Sequence, residues 1–235
     1  PAGFSSRIVA RSSEPVIDGS DFEWHAAPDG GACFSVDGGG WIYVSNSEIR
    51  DFGGVSALKF DASGKVVDAY SILEDTSRNC AGGATPWQTW LSCEEINEGK
   101  VWECYPDGGT PAILRPALGI FNHEAVAVDE TNYQLYLTED KTDGCLYRFT
   151  AVQSHADGFP DLSAGRLEVA KLSAGTDDML DWVELPDPSA ASIETRYGME
   201  RYLTLLRMGV TLGEPGAMVR LGATVIHNFR DASAD

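Results

Sequence analysis

The sequence predicts an all-β protein made of β-propeller blades, and three observations support this prediction. Short runs rich in β-branched and aromatic residues are separated by turns rich in glycine and proline, of which the chain has 25 and 11. The order of these runs recurs roughly every 45 to 55 residues. Each repeat supplies three or four strands, which is typical of a propeller blade.

Residues 41–46, 55–60 and 66–72 form the first predicted group of strands. The first two runs are separated by Gly53-Gly54, and the second and third by the turn sequence of residues 61–64, Asp-Ala-Ser-Gly. Tight turns of this kind join neighbouring antiparallel strands. We therefore expect the three strands to lie side by side in one sheet.

The pattern of residues 41–48 returns at 89–95 and 134–140, where an apolar strand again ends in carboxylates. Each of these runs is followed by a strand that closes on an aromatic residue, at 57–60, 101–105 and 145–149. Three units thus cover about residues 21–172. Because propellers close with typically four to eight blades, the chain is predicted to form an incomplete arc. We assign blades to residues 1–190 and a tail of uncertain structure to residues 191–235.

The charge of the chain excludes several classes of function. It has 36 acidic against 17 basic side chains, a formal net charge of −19. Such a surface repels nucleic acid and anionic lipid and attracts cations. No apolar run approaches the roughly 20 residues of a membrane-spanning helix. The five cysteines contain no C-x-x-C pair, which argues against a structural zinc site and leaves disulfide pairing open.

Two sets of equivalent positions in the repeats carry residues that could bind metal. They are His25, Cys80 and Glu124, and then Glu48, Glu94 or Glu95, and Glu139 or Asp140. In a propeller such positions converge near the central channel. Carboxylates brought together destabilise a protein unless a cation neutralises them. Oxygen ligands favour Ca²⁺ or Mg²⁺, and a thiolate among carboxylates admits iron.

Simpler explanations exist for each of these residues. Carboxylates at strand ends are often solvated turn residues, and a lone Cys80 is often a small buried apolar group. His25 and His123 lie beside apolar residues and could be core histidines. Three further cysteines are interpreted as packing residues: Cys93, Cys104 and Cys145.

Several longer segments resemble the PhoX-type alkaline phosphatase family, formerly a domain of unknown function. The most specific are Asn-Cys-Ala-Gly-Gly with Thr-Pro-Trp in residues 79–87 and Ser-Cys-Glu-Glu in 92–95, and residues 25–33, 40–46, 121–129 and 136–140 add to them. The resemblance covers about residues 1–190. It implies a six-bladed propeller, a channel cluster of Ca²⁺ and Fe³⁺, and a periplasmic or extracellular enzyme acting on small phosphate monoesters.

The resemblance also implies roles for individual residues. Cys80 matches the thiolate ligand of iron. Glu95, together with Glu94, matches the calcium-side carboxylates, and Glu124 matches a bridging carboxylate. His25, Glu48, His123, Glu139 and Asp140 remain additional metal or channel candidates. No residue is assigned a catalytic role beyond metal binding.

Two departures from the family pattern weaken the expected site. Ile96 stands where many members have Asn, and the family's later Arg-Gly-Glu-Gly segment is absent from this sequence. We therefore expect a truncated or divergent phosphatase, whose propeller a partner chain or a second copy completes. Two alternatives are a noncatalytic secreted metal-binding propeller and a propeller lactonase with one divalent cation.

Overall fold

The structure is a computed structural model that describes residues 2–141, 144–172, 180–185 and 188. In these residues thirteen strands form three antiparallel sheets, and a 3-10 helix spans Pro116–Leu118. The predicted all-β fold of propeller blades is confirmed. No helix among these residues is long and apolar enough to cross a membrane.

The first sheet contains four strands in sequential order. They are β1 (Pro28–Ser35), β2 (Trp41–Ser47), β3 (Gly53–Phe60) and β4 (Val66–Thr76). The alternation in β2 buries Ile42 and Val44 on one face, where they pack with Trp90 of the second sheet. This apolar cluster joins the first two sheets.

The second sheet has the same sequential order of four strands. They are β5 (Asn79–Ala84), β6 (Trp90–Glu94), β7 (Val101–Cys104) and β8 (Ile113–Leu114). Leu91 and Val101 are fully buried and pack against Leu135 and Tyr147 of the third sheet. The largest apolar cluster of the described residues therefore lies between the second and third sheets.

The third sheet has five strands and extends further along the chain than the third repeat unit. They are β9 (His123–Asp129), β10 (Gln134–Glu139), β11 (Leu146–Ala151), β12 (Gly165–Leu172) and β13 (Leu180–Glu184). The third repeat unit, which the sequence pattern ends at about residue 172, is followed by β13, which pairs with β12. Strand β13 lies within the residues 1–190 assigned to blades. The predicted tail over residues 191–235 lies outside the described residues.

The first strands of the three sheets lie side by side. Strand β5 packs between β1 and β9. Glycine makes this close approach possible, because a Cβ at Gly83 would collide with the carbonyl oxygen of Val126, and one at Gly30 would collide with Ala81. The starts of the three sheets are consequently brought to one central region.

Three of the five cysteines are packing residues of the clusters that join the sheets. Cys93 and Cys104 are 0% exposed and Cys145 is 3% exposed, which confirms the prediction for these three. No disulfide joins any two of the five cysteines. Cys80 is the buried cysteine that lies outside the clusters joining the sheets.

Candidate metal centre

The same β-bulge opens the first strand of every sheet. In the first sheet Pro28 pairs with Ser47, but the next pair joins Gly31 to Ser45. Two residues of β1 therefore lie opposite one residue of β2, which re-aims the bulged side chain. The register shifts in the same way in β5 after Asn79 and in β9 after His123.

The bulge gives three residues equivalent positions at the inner ends of the sheets. They are Asp29, Cys80 and Glu124. The prediction that His25 is the equivalent of Cys80 is wrong. Strand β1 begins only at Pro28, directly after Ala27, whose φ of 46° is in the left-handed region. Asp29 therefore takes the position that the sequence had indicated for His25.

A second equivalent position directly follows the second strand of each sheet. Glu48 follows β2 and Glu95 follows β6. The backbone N–H of Glu48 donates to the carbonyl of Ala27 (2.9 Å), and that of Glu95 donates to the carbonyl of Arg78 (2.8 Å). Arg78 has a φ of 48°, close to that of Ala27. The first two sheets thus use one backbone arrangement to place a carboxylate beside the bulge.

These residues form two groups that share the thiol of Cys80. One ligand atom each from Asp29, Glu48 and Cys80 lie within 4.8 Å of one another, and so do those of Cys80, Glu95 and Glu124. The Cys80 Sγ lies 3.7 Å from Asp29 Oδ1 and 3.6 Å from Glu124 Oε2. Each group therefore combines two carboxylates with the same sulfur.

Burial and mutual repulsion disfavour the charged forms of this cluster. Burial, followed by the charges of Glu95 and Asp140, raises the pKa of Glu124 to about 7. Burial is also the main reason that the pKa of Glu95 is raised. The pKa of the Cys80 thiol is raised by burial and by the neighbouring carboxylates, first of all Glu124. A bound cation would reverse these effects by stabilising the anionic forms.

A buried asparagine on β2 fixes the bulge that carries Cys80. Asn46 is 0% exposed, and its Nδ2 donates to the carbonyls of Cys80 (2.9 Å) and Ala81 (2.8 Å). Its Oδ1 accepts hydrogen bonds from Trp90 Nε1 and Ser92 Oγ, both at 2.9 Å. Sequence reasoning missed this residue, because a polar residue at the end of an apolar strand gives no sign that it will be buried.

Two of the candidate carboxylates have structural partners. Glu94 accepts hydrogen bonds from the Ser77 N–H (2.9 Å) and from Trp102 Nε1 (3.3 Å). Glu139 accepts one from the Cys145 N–H (3.2 Å). Neither belongs to the two groups found among the described residues. Asp140 follows β10 and acts on Glu95 and Glu124 through its charge, but it is not a member of either group.

The two candidate histidines also lie outside these groups. His25 Nε2 is 3.4 Å from Ser45 Oγ, and burial lowers the pKa of His25 to about 4. His123 is 0% exposed beside the ring of Phe121, and burial lowers its pKa to about 3. His123 Nε2 lies 3.1 Å from the Gly119 carbonyl. The position of His123 matches the alternative interpretation as a core histidine, whereas His25 is only partly buried.

Comparison with known proteins identifies a family. The sequence model of the family described as alkaline phosphatase PhoX matches residues 53–109 and 108–204. No curated protein matches the chain significantly. The family's Arg-Gly-Glu-Gly segment would lie after residue 187. In that part of the chain the structure describes only residue 188.

Two solved structures are remotely similar to the chain. One is a crystal structure of a nidogen/laminin complex (15% identity, TM-score 0.39), in which the match covers 67% of this chain and 57% of the other. The second is a crystal structure of an ACO/RPE65 chimera (15% identity, TM-score 0.38), with coverage of 61% and 38%. The family match, by contrast, extends over residues 53–204, more than half of the chain. The chain therefore belongs to the PhoX alkaline phosphatase family.

Proposed function

We propose that this chain is a metal-dependent phosphatase that hydrolyses phosphate monoesters at the centre formed by Asp29, Glu48, Cys80, Glu95 and Glu124. Membership of the PhoX family supports the reaction class. The observation that carries the proposal is the sharing of Cys80 by two groups of ligand atoms. Shared ligands are expected where two or more cations lie close together.

The chemistry of the donor set fits calcium and iron. Carboxylate oxygens such as those of Asp29 and Glu48 are hard ligands that suit Ca²⁺. A thiolate flanked by the carboxylates of Glu95 and Glu124 suits a transition metal, and we propose Fe³⁺ at Cys80. We propose that the carboxylate of Glu124 would serve both iron and calcium, as the family resemblance implies for a bridging carboxylate. Neither Glu95 nor Glu124 forms an ion pair with Lys or Arg among the described residues. Their negative charge is therefore available to a metal ion.

The protein contributes rigidity to this centre. Bound cations would polarise the phosphoryl oxygens and offset the charge that develops during hydrolysis. The bulges of β1, β5 and β9 hold Asp29, Cys80 and Glu124 at the ends of paired strands. Asn46 fixes the carbonyls of Cys80 and Ala81. Ligands held in this way lose little conformational entropy when a cation binds.

Membership of the PhoX family also supports proposals for the substrate and the place of action. We propose a small phosphate monoester as the substrate and an exported location, periplasmic or extracellular. Completion of the propeller by a partner chain or a second copy also belongs to this proposal. Analytical ultracentrifugation of the exported protein would measure that assembly, and a protein found solely in the cytoplasm would contradict the proposed location.

The test combines metal analysis with enzyme assays on the purified chain. We expect iron and calcium by elemental analysis and turnover of p-nitrophenyl phosphate. Cys80→Ser should lose both iron and turnover, while Cys93→Ser, which changes a buried packing cysteine, should keep them. Calcium without turnover would support a noncatalytic metal-binding propeller instead. Lactone hydrolysis with one divalent ion would support a lactonase.

A further inference from the structure

Arg78 places a guanidinium group beside the acidic centre. Its Nη1 lies 3.5 Å from Glu48 Oε1, a member of the group that includes Asp29 and Cys80. Among the ion pairs of the described residues, this is the one that joins an arginine to a residue of the two ligand groups. The side chain of Arg78 remains 39% exposed, so a solute at this end of the sheets can reach it.

The backbone of Arg78 is held at the junction of the first two sheets. Its N–H donates to the carbonyl of Ile49 (2.9 Å), and its carbonyl accepts from the N–H of Glu95 (2.8 Å). A φ of 48° is unfavourable for a residue with a side chain by roughly 1 kcal/mol, yet these bonds hold it there. The guanidinium therefore starts from a fixed point, two residues before Cys80.

Arg78 keeps hydrogen-bonding capacity that other arginines of the chain have used. Arg115 and Arg148 each bind a buried carboxylate at close range, with Nε of Arg115 2.7 Å from Glu103 and Nη2 of Arg148 2.8 Å from Glu168. In Arg78, by contrast, Nε is buried without a hydrogen-bond partner, and the contact with Glu48 is long. A guanidinium has five N–H groups in a planar fork that matches phosphate oxygens.

We propose that Arg78 binds the phosphoryl group of the substrate and, after hydrolysis, the phosphate product. This inference rests on the proposed function of the centre. When cations take up the charge of Glu48 and Cys80, the guanidinium is left beside a neutralised cluster and can bind an anion. The competing explanation is that Arg78 only neutralises Glu48 and thereby stabilises the fold.

Calorimetric titration of the metal-loaded full chain with inorganic phosphate separates the two explanations. Arg78→Gln should weaken phosphate binding about tenfold to a hundredfold, as the loss of a charge-assisted hydrogen bond does, while metal content stays unchanged. The matched control is Arg148→Gln, which should bind phosphate as the wild type does, because Arg148 pairs with Glu168 on the third sheet. In kinetic assays Arg78→Gln should raise KM for the ester together with the inhibition constant of phosphate.

A second variant covers the case in which Arg78→Gln does not fold. Arg78→Lys keeps a positive charge beside Glu48 but removes the planar fork, so it should retain the melting temperature and still bind phosphate more weakly. Unchanged phosphate affinity in Arg78→Lys and Arg78→Gln would overturn the inference. A loss of affinity that only follows a loss of metal, or an equal loss in Arg148→Gln, would overturn it as well.

The same experiment distinguishes this inference from the proposed function. If the wild-type chain hydrolyses the ester but Arg78→Gln keeps its phosphate affinity, only the proposed role of Arg78 is contradicted. A metal-loaded wild-type chain that binds no phosphate and hydrolyses no ester contradicts both.

Discussion

Carboxylates in the outer strands and at the inner ends of the sheets have different surroundings. On β7, Glu103 is 3% exposed and accepts hydrogen bonds from Arg115, Trp87 Nε1 (2.7 Å) and Thr89 Oγ1 (2.8 Å). On β12, Glu168 is 6% exposed and is bound by Arg148. The chain thus supplies its own cation to each buried carboxylate of the outer strands.

Two carboxylates at the inner ends, Glu95 and Glu124, lack such partners. Glu95 and Glu124 share the thiol of Cys80, and no lysine or arginine of the described residues forms an ion pair with them. Because uncompensated charges close together destabilise a fold, the difference between the two regions points to a cation from solution at the inner one. The comparison predicts that the fold depends on its own side chains in the outer strands and on an ion at the inner ends.

The largest effect is expected when a carboxylate of the outer strands loses its charge. Glu103→Gln leaves the guanidinium of Arg115 buried without its counter-ion, which should lower the free energy of unfolding by about 3 kcal/mol. Urea denaturation of the metal-loaded protein measures this. The exposed Glu98→Gln is the control and should change stability by less than about 0.5 kcal/mol. Metal content should stay the same in both variants, and a Glu103→Gln variant as stable as the wild type would remove the first half of the comparison.

Removal of the cations is expected to have an effect almost as large for each ion. An ion present at a hundred times its dissociation constant stabilises the folded state by about 2.7 kcal/mol per site. Excess chelator should therefore lower the melting temperature of the wild-type chain in differential scanning calorimetry. Glu103→Gln, although less stable, should show the same downward shift on chelation. An identical melting curve before and after chelation, from protein shown to contain metal, would argue against the structural role of the ions.

A smaller effect on stability is expected from the shared thiol. Cys80→Ser should lose iron and the thiolate-to-metal absorption, because a hydroxyl is a poorer ligand for iron than a thiolate. Compared with the metal-free wild type, the metal-free variant should keep its fold with a loss of about 1 kcal/mol. Cys93→Ser is the matched control, since Cys93 is buried in the cluster between the second and third sheets. Equal iron content in the two variants would contradict the assignment of Cys80.

The smallest effect near neutral pH concerns His25. Burial lowers the pKa of His25 from 6.5 to about 4, so below pH 6.5 the unfolded chain binds a proton that the folded chain does not. The stabilisation of the fold by neutral His25 is therefore fully present above pH 6.5, and it is lost progressively as the pH falls towards 4. For this partly exposed group we expect about 1 kcal/mol between pH 6.5 and 5. Melting curves of the wild type and His25→Gln over this range should converge as the pH falls, and parallel curves would show that His25 does not contribute.

The sequence predicts the parts of this structure that repeat. The alternation and turns of residues 41–72 lead directly to β2, β3 and β4, because strand period and turn chemistry are local properties. Cys80, Glu95 and Glu124 were selected because a carboxylate or thiol recurs at the ends of the repeated strands. The structure brings all three into one group.

The remaining features depend on contacts that sequence periodicity does not encode. Asp29 was overlooked in favour of His25, because the left-handed turn at Ala27 and the bulge after Pro28 shift the start of β1. The register of glycines could have located it, since Gly31 follows Asp29 at the same distance as Gly82 follows Cys80. The burial of Asn46 depends on the second sheet, which contacts it only in the folded chain.

Calcium titration of two glutamate variants tests the central claim most directly. Glu124→Gln removes one unit of charge from the inner group at nearly constant volume, and Glu168→Gln does the same in the outer strands. By isothermal titration calorimetry we expect Glu124→Gln to bind calcium about tenfold more weakly or worse, while Glu168→Gln binds it as the wild type does despite its lower stability. Calcium affinity that is unchanged in Glu124→Gln, or reduced equally in both variants, would contradict the claim that the inner carboxylates form a cation site.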